Sequence, residues 1–178
     1  MAKNKIAKEI LEWALTIIIP VVAALLIHQY LFTFARVDGI SMLDTLHENN
    51  IMGVSRLHYR LNEPQRGEII TCNYPEDGNK LFVKRIIGLP GETIEIREGT
   101  VYIDGEPIAE TYLTRVDDQS MDSITLAEDE IFVMGDNRPV SRDSRAVGPL
   151  TLDEIYGRVL FVAFPFNEIR STMALPEY

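Results

Sequence analysis

Hydrophobic and polar positions divide the chain near residue 36. Between Glu12 and Arg36 lie 23 residues without a formal charge, WALTIIIPVVAALLIHQYLFTFA. About 20 helical residues cross a bilayer's hydrocarbon core, so this run predicts one membrane-spanning helix over residues 13–35. Trp13 and Tyr30 fall where amphipathic rings prefer the two interfaces, and lipid-embedded helices tolerate a proline such as Pro20. Lys3, Lys5 and Lys8 precede the run. That order places residues 1–12 in the cytoplasm and residues 36–178 outside it. A cleaved secretory signal would carry a shorter apolar region, about 7–15 residues, and a small-x-small site. The stretch FTFARV is a poor site of that kind, so a retained anchor is expected. No second run approaches this length.

After Val37 the period changes to two. In TIEIREGTVYIDGEPI, Ile94 and Ile96 alternate with Glu95 and Arg97 before a Glu-Gly turn. Val101 and Ile103 alternate next, and Asp104-Gly105 gives a second hairpin-type turn. GEIITC, LFVKRIIG, EIFVMG and YGRVLFVAF read as further strands, continuous enough in apolar character to be buried on both faces. SMLDTLHEN and LTLDEIYG each have room for one helical turn. With no long 3.6-residue period beyond the first segment, the expected fold is mainly β: one antiparallel β-sheet domain behind an N-terminal helix.

Charge narrows the function. The chain of 178 residues carries a net −10, divided as +1 up to residue 35 and −11 after it, which argues against nucleic acid as a partner. Cys72 is the only cysteine, so an intrachain disulfide and a Cys-based zinc cluster are excluded. Its strand-like setting predicts a packed thiol. The three histidines are His28, His47 and His58, without HExxH or similar spacing, so no metal is expected. No Gly-rich phosphate loop is present, and no cofactor is implied.

Nucleophilic catalysis remains. Ser41 lies in GISMLDTL, in a Gly-flanked turn close behind the apolar segment. A serine nucleophile needs a base, and His47 and His58 read more simply as solvated loop residues. Leu43 breaks the GxSxG pattern, and SxxK is absent. The part after residue 36 holds two lysines, Lys80 and Lys84. Lys80 follows the polar turn PEDGN. Lys84 shares a strand face with Phe82 and Ile86. Desolvation there would lower its pKa from about 10.4 and let the amine accept a proton. The same pattern also suits a structural lysine that snorkels to water.

GISMLDTL, RGEIIT, FVKRIIGLPGE and FVMGDNRPVSRDSRAVGPL resemble, in this order, the signature boxes of bacterial type I signal peptidases. The likeness runs from the N-terminal segment to about Val159, and the short connection before GDN looks like the compact Gram-positive type. The resemblance implies a Ser–Lys dyad, with Ser41 as nucleophile and Lys84 as general base. It implies an oxyanion hole from the Ser41 backbone N–H, with Gly39 where some members carry a serine hydroxyl. Ser141 would hydrogen-bond and orient the Lys84 amine. Asp143 and Arg145 would pair, and Gly135, Asp136 and Asn137 would form the turn that brings them in. Arg85 alternates away from Lys84 and would brace the strand.

The family binds the extended end of a preprotein signal peptide as an added β-strand. The resemblance places that strand between Asp38–Ser41, including Ile40, and Phe82–Lys84, including Val83. Met42 and Leu46 would line the small pocket beside the cut. The bilayer would be a second partner, touched by Phe34, Ile40, Met42 and Leu43, and Ala163–Phe166 suit either lipid contact or core packing. Two other readings share the dyad. A self-cleaving repressor-type protein would need a DNA-binding domain in place of the apolar segment. A specialised or inactive assembly factor would bind export or pilin-type substrates without general processing. Asp44 is a departure: the usual pattern S-M-x-P-T-L has proline there. Asp44 is expected to point away from Lys84 and to cap a helical turn through the N–H of Leu46 or His47.

Overall fold

The computed structural model describes residues 2–78 and 80–176; the side chains of residues 2–8, 10, 11, 26–30 and 77 lie outside that description. His28, Tyr30 and the three early lysines therefore stand as sequence expectations only. Helix α1 covers Ala2–Tyr30 and contains Pro20. Among the described residues, no helix is long and apolar enough to cross a membrane.

The predicted helix over residues 13–35 is corrected at its end. Leu31 is a turn, and Phe32–Arg36 form strand β1. The cause is pairing: β1 runs antiparallel to β2 (Ile51–Ser55), from Phe32↔Ser55 to Arg36↔Ile51. Sheet hydrogen bonds hold these residues extended, a tertiary influence that an unbroken apolar run conceals.

The chain continues through the short helix α2 (His58–Leu61), β3 (Ile69–Asn73) and β4 (Leu81–Gly88). Next come β5 (Thr93–Arg97), β6 (Thr100–Ile103), β7 (Glu106–Pro107) and β8 (Met121–Thr125). Then follow β9 (Glu130–Met134), α3 (Ser144–Val147), β10 (Leu150–Thr151), β11 (Ile155–Phe164) and β12 (Arg170–Ser171). The larger sheet has the order β1-β2-β11-β3-β4-β9-β10, with β12 added to β11; the smaller has the order β7-β6-β5-β8. All of these pairings are antiparallel. The fold is the mainly antiparallel β domain that the alternation predicts.

The hairpin turns fall where the Gly dipeptides place them. Glu98 and Gly99 adopt positive φ between β5 and β6, and Asp104 and Gly105 do so between β6 and β7. Such turns match the twist of the flanking strands. LTLDEIYG supplies a single 3₁₀ turn at Leu152–Glu154, closed by a Thr151–Glu154 capping box. SMLDTLHEN forms no helix, only a turn with one Leu46 N–H to Met42 C=O bond of 2.8 Å.

Three apolar clusters fix the layers. One packs Val37, Met42, Leu46, Met52, Val54 and Val159 around the start of the domain. A second packs Ile70, Cys72, Tyr74, Ile86 and Val133 on β3, β4 and β9. The third joins the sheets through Ile87, Ile94, Val101, Leu126, Phe132 and Met134. Cys72 is the packed thiol its strand pattern predicts, and burial pushes its pKa up to about 12.

Candidate active site

Strand β4 is interior to the larger sheet, paired along its edges with β3 and β9, and its second half is buried. Lys84 pairs with Ile70 in the backbone register and is only 2% exposed. The Ser41 loop comes from elsewhere in the chain. It leaves β1, passes Gly39 at φ +99° and turns at Ser41. That φ favours glycine, although a Cβ there would meet open space. Lys84 Nζ and Ser41 Oγ lie 2.7 Å apart in a hydrogen bond.

Burial pushes the Lys84 amine below the usual lysine range. The charged form loses its hydration there and little replaces it. Asp143, Cys72 and Asp136 oppose that shift, Asp143 most strongly. The pair is thus a hydroxyl against an amine biased toward its neutral form, the arrangement a serine nucleophile needs.

The segment after β9 holds this pair in register. Asn137 donates its backbone N–H to Ser41 C=O and its side-chain amide to Ile40 C=O, each at 3.0 Å. A Cβ at Gly135 would run into Ser41 O and the Ser141 side chain, so the close approach needs glycine. Asp143 is fully buried, accepts the Gly135 N–H at 3.0 Å and pairs with Arg145 at 2.9 Å. Asp143 and Arg145 therefore meet as the resemblance implies. Arg145 also reaches Asp117 at 2.7 Å and the Arg138 carbonyl at 2.7 Å.

Asp136 does more than shape a turn. It forms a two-point ion pair with Arg85, at 2.9 and 2.6 Å, and accepts Thr45 Oγ1 at 2.5 Å. Arg85 braces β4 as its alternation suggests, and its guanidinium also donates to Gly67 C=O at 2.8 Å. Ser141 Oγ is buried and has no hydrogen-bond partner, so its expected bond to the Lys84 amine is not formed in this structure.

A cleft of about 350 Å³ opens beside Ser41 and Lys84. Asp38, Gly39, Ile40, Met42, Phe82 and Val83 line it, together with Val140 and Arg142. Leu46 does not: it is fully buried in the first apolar cluster, because the turn's hydrogen bond to Met42 directs it into the core. Met42 is likewise core, at 1% exposure, which removes it from the expected lipid contact. Phe34, Ile40, Phe164 and Phe166 are exposed.

Two further expectations change. Asp44 makes no cap. The His47 N–H goes to Asn50 Oδ1 at 3.0 Å and the Leu46 N–H to Met42 C=O, so both donors are occupied. Its carboxylate turns to Thr114 and Arg115 instead. His58 is not a solvated loop residue. It sits on α2, 3.5 Å from the buried Glu68, which also binds Arg158 at 2.9 Å and Tyr59 at 2.6 Å. His47 is exposed as expected, 3.1 Å from Glu168. Among the described residues, no group of three or more His, Cys, Asp or Glu could hold a metal ion.

The antiparallel β scaffold thus sets the Ser41 hydroxyl against the buried Lys84 amine. The family model described as Signal peptidase, peptidase S26, matches residues 10–164, and the chain belongs to that family. It is 40% identical to "Signal peptidase I" of Bacillus amyloliquefaciens, over 96% of this chain and 97% of that relative. It is 41% identical to "Signal peptidase I S" of Bacillus subtilis strain 168, over 93% of this chain and 95% of that relative. A crystal structure of a signal peptidase I from Enterococcus faecalis V583 is 35% identical, with a TM-score of 0.48, covering 55% of this chain and 97% of that one.

Proposed function

We propose that the chain is a membrane-anchored endopeptidase that removes signal peptides from exported preproteins, with Ser41 as nucleophile and Lys84 as general base. The observation that carries this reading is the 2.7 Å contact between Ser41 Oγ and a lysine whose amine is buried. Neutral Lys84 takes the Ser41 proton as Oγ bonds to the scissile carbonyl. The resulting ammonium gives that proton to the leaving amine, and the C–N bond breaks. Lys84 then activates a water that hydrolyses the acyl-enzyme and returns Ser41 to its hydroxyl form. The Ser41 N–H, not engaged by any described hydrogen bond, suits the oxyanion.

The preprotein end enters as an extended strand between Asp38–Ser41 and Phe82–Lys84, with small side chains favoured where the cleft floor meets Met42.

Anchoring is supported by α1. Its described large apolar side chains are exposed, Trp13 at 72% among them. A helix apolar all round needs a lipid or protein environment. Its uncharged part, Trp13–Tyr30, is about 27 Å long at ~1.5 Å per residue. Residues 1–12 would then be cytoplasmic and the β domain extracytoplasmic. Exposed Phe34, Ile40, Phe164 and Phe166 would rest on the outer surface.

The test is cleavage of a model preprotein in detergent, with the new N-terminus identified. Wild type should cut after a small-x-small sequence, and Ser41→Ala and Lys84→Ala should not cut. Intact cleavage by either variant would remove the dyad assignment.

A further inference from the structure

Asp44 stands three residues after Ser41, where the family pattern has a proline that would restrict the loop through its own ring. The structure gives that position different work. Thr114 Oγ1 donates to one Asp44 carboxylate oxygen at 2.5 Å, and the Arg115 guanidinium lies 3.4 Å from the other. Both partners belong to residues 108–120, the connection from β7 to β8 of the smaller sheet.

That connection is a strap fastened to the segment that follows β9. Glu110 near its start pairs with buried Arg138, and Asp117 near its end pairs with Arg145 at 2.7 Å. In its middle, Arg115 forms a bridge with Asn137, and the Arg115 carbonyl accepts the Arg138 N–H at 3.4 Å. Asn137 in turn holds Ser41 and Ile40 through their carbonyls. A closed circuit results, running from Ser41 to Asn137, to Arg115, to Asp44 and back along three residues of loop.

We propose that Asp44 is a positioning residue: with Thr114 and Arg115 it clips the nucleophile loop to a strap from the smaller sheet, and so holds Ser41 against Lys84. The inference rests on Ser41 being the nucleophile. Asp44 acts through geometry and not through charge on the base. Its carboxylate is turned to Thr114 and Arg115, and the carboxylates that act most strongly on Lys84 are Asp143 and Asp136. The Thr114 hydrogen bond, with help from Arg115, keeps Asp44 itself ionised below the usual carboxylate range. Exposed contacts of this kind add little to global stability. Reaction rate is far more sensitive, because a misplacement of about 1 Å costs on the order of 10²-fold.

The experiment compares full-length Asp44→Ala, Thr114→Val, the double variant and Asp44→Asn with wild type, in detergent, on one preprotein. Each single variant should lower kcat about tenfold, with little change in KM or melting temperature. The double variant should be no worse than the worse single one. Asp44→Asn keeps an oxygen for the Thr114 hydroxyl and should recover most of the rate. The pH–rate midpoint should be the same in all of them. Unchanged kcat in the single variants, additive losses, or a displaced midpoint would each overturn the clip. Ser41→Ala separates the two failures. If it still cleaves, the nucleophile reading falls and the clip with it; if it is dead while the Asp44 and Thr114 variants keep full kcat, only the clip falls.

Discussion

Lys84 Nζ meets Ser41 Oγ at 2.7 Å although the two residues stand 43 positions apart in the chain. One comes from an interior strand and the other from a turn beside the domain's first strand. The contact places a poorly hydrated amine against the hydroxyl whose proton it collects in the proposed reaction, and its consequences can be measured.

The first concerns pH. Burial favours the neutral amine, so the folded-state pKa of Lys84 lies below its ordinary value. The kcat/KM for a preprotein should rise with pH, pass its midpoint below about 10.4 and then level off. Asp143→Asn removes the strongest opposing charge and should move that midpoint further toward acid. A midpoint at or above the ordinary lysine value would contradict the assignment.

Stability should carry the same signature. With a depressed folded pKa, the unfolded chain binds the proton more readily. The stability associated with neutral Lys84 is present above the unfolded pKa and is lost as pH falls through the folded one. Lys84→Met should abolish cleavage while raising the unfolding free energy at neutral pH. Denaturant titration at neutral and alkaline pH checks this, and the gain should shrink as pH rises.

The Arg85–Asp136 pair is nearly closed to solvent. Asp136→Ala strands a buried guanidinium and should cost about 3–5 kcal/mol. Replacing both partners by apolar residues should cost less than the single change. Chemical denaturation of the single and double variants decides it, and equal or greater loss in the double variant would count against the buried-charge account.

Gly135→Ala puts a methyl group into space held by Ser41 O and the Ser141 side chain. The nucleophile loop must then shift, and kcat should fall about 10²-fold while the fold persists. Circular dichroism and kcat, measured together, distinguish this from unfolding. A fully active, folded variant would show that the approach is looser than it looks.

The hairpins at Glu98-Gly99 and Asp104-Gly105 were readable because local turn chemistry and alternation agree. The placement of Lys84 between Phe82 and Ile86 was readable for the same reason. Polar partnerships were not. Asp136 finds Arg85 across 51 positions and Asn137 finds Ile40 across 97, and a lone sequence carries no sign of such pairings. The expected Asp44 cap failed because Asn50 already supplies the acceptor for His47. Leu46, placed at the cleft by the resemblance, is instead fully buried in the first apolar cluster. Strand β1 was hidden by its own composition, since FTFA is as apolar as the helix it follows.

Leu31 alone separates α1 from β1, and the Arg56 N–H fastens its carbonyl to the residue after β2. The β domain therefore has no slack leash on which to swing. With α1 held in a bilayer, as proposed, the height of Ser41 above it would be a property of the sheet. Cleavage would then be gauged by depth as well as by side-chain size, and a cut site presented too high or too low would go unread even with alanine in the right place.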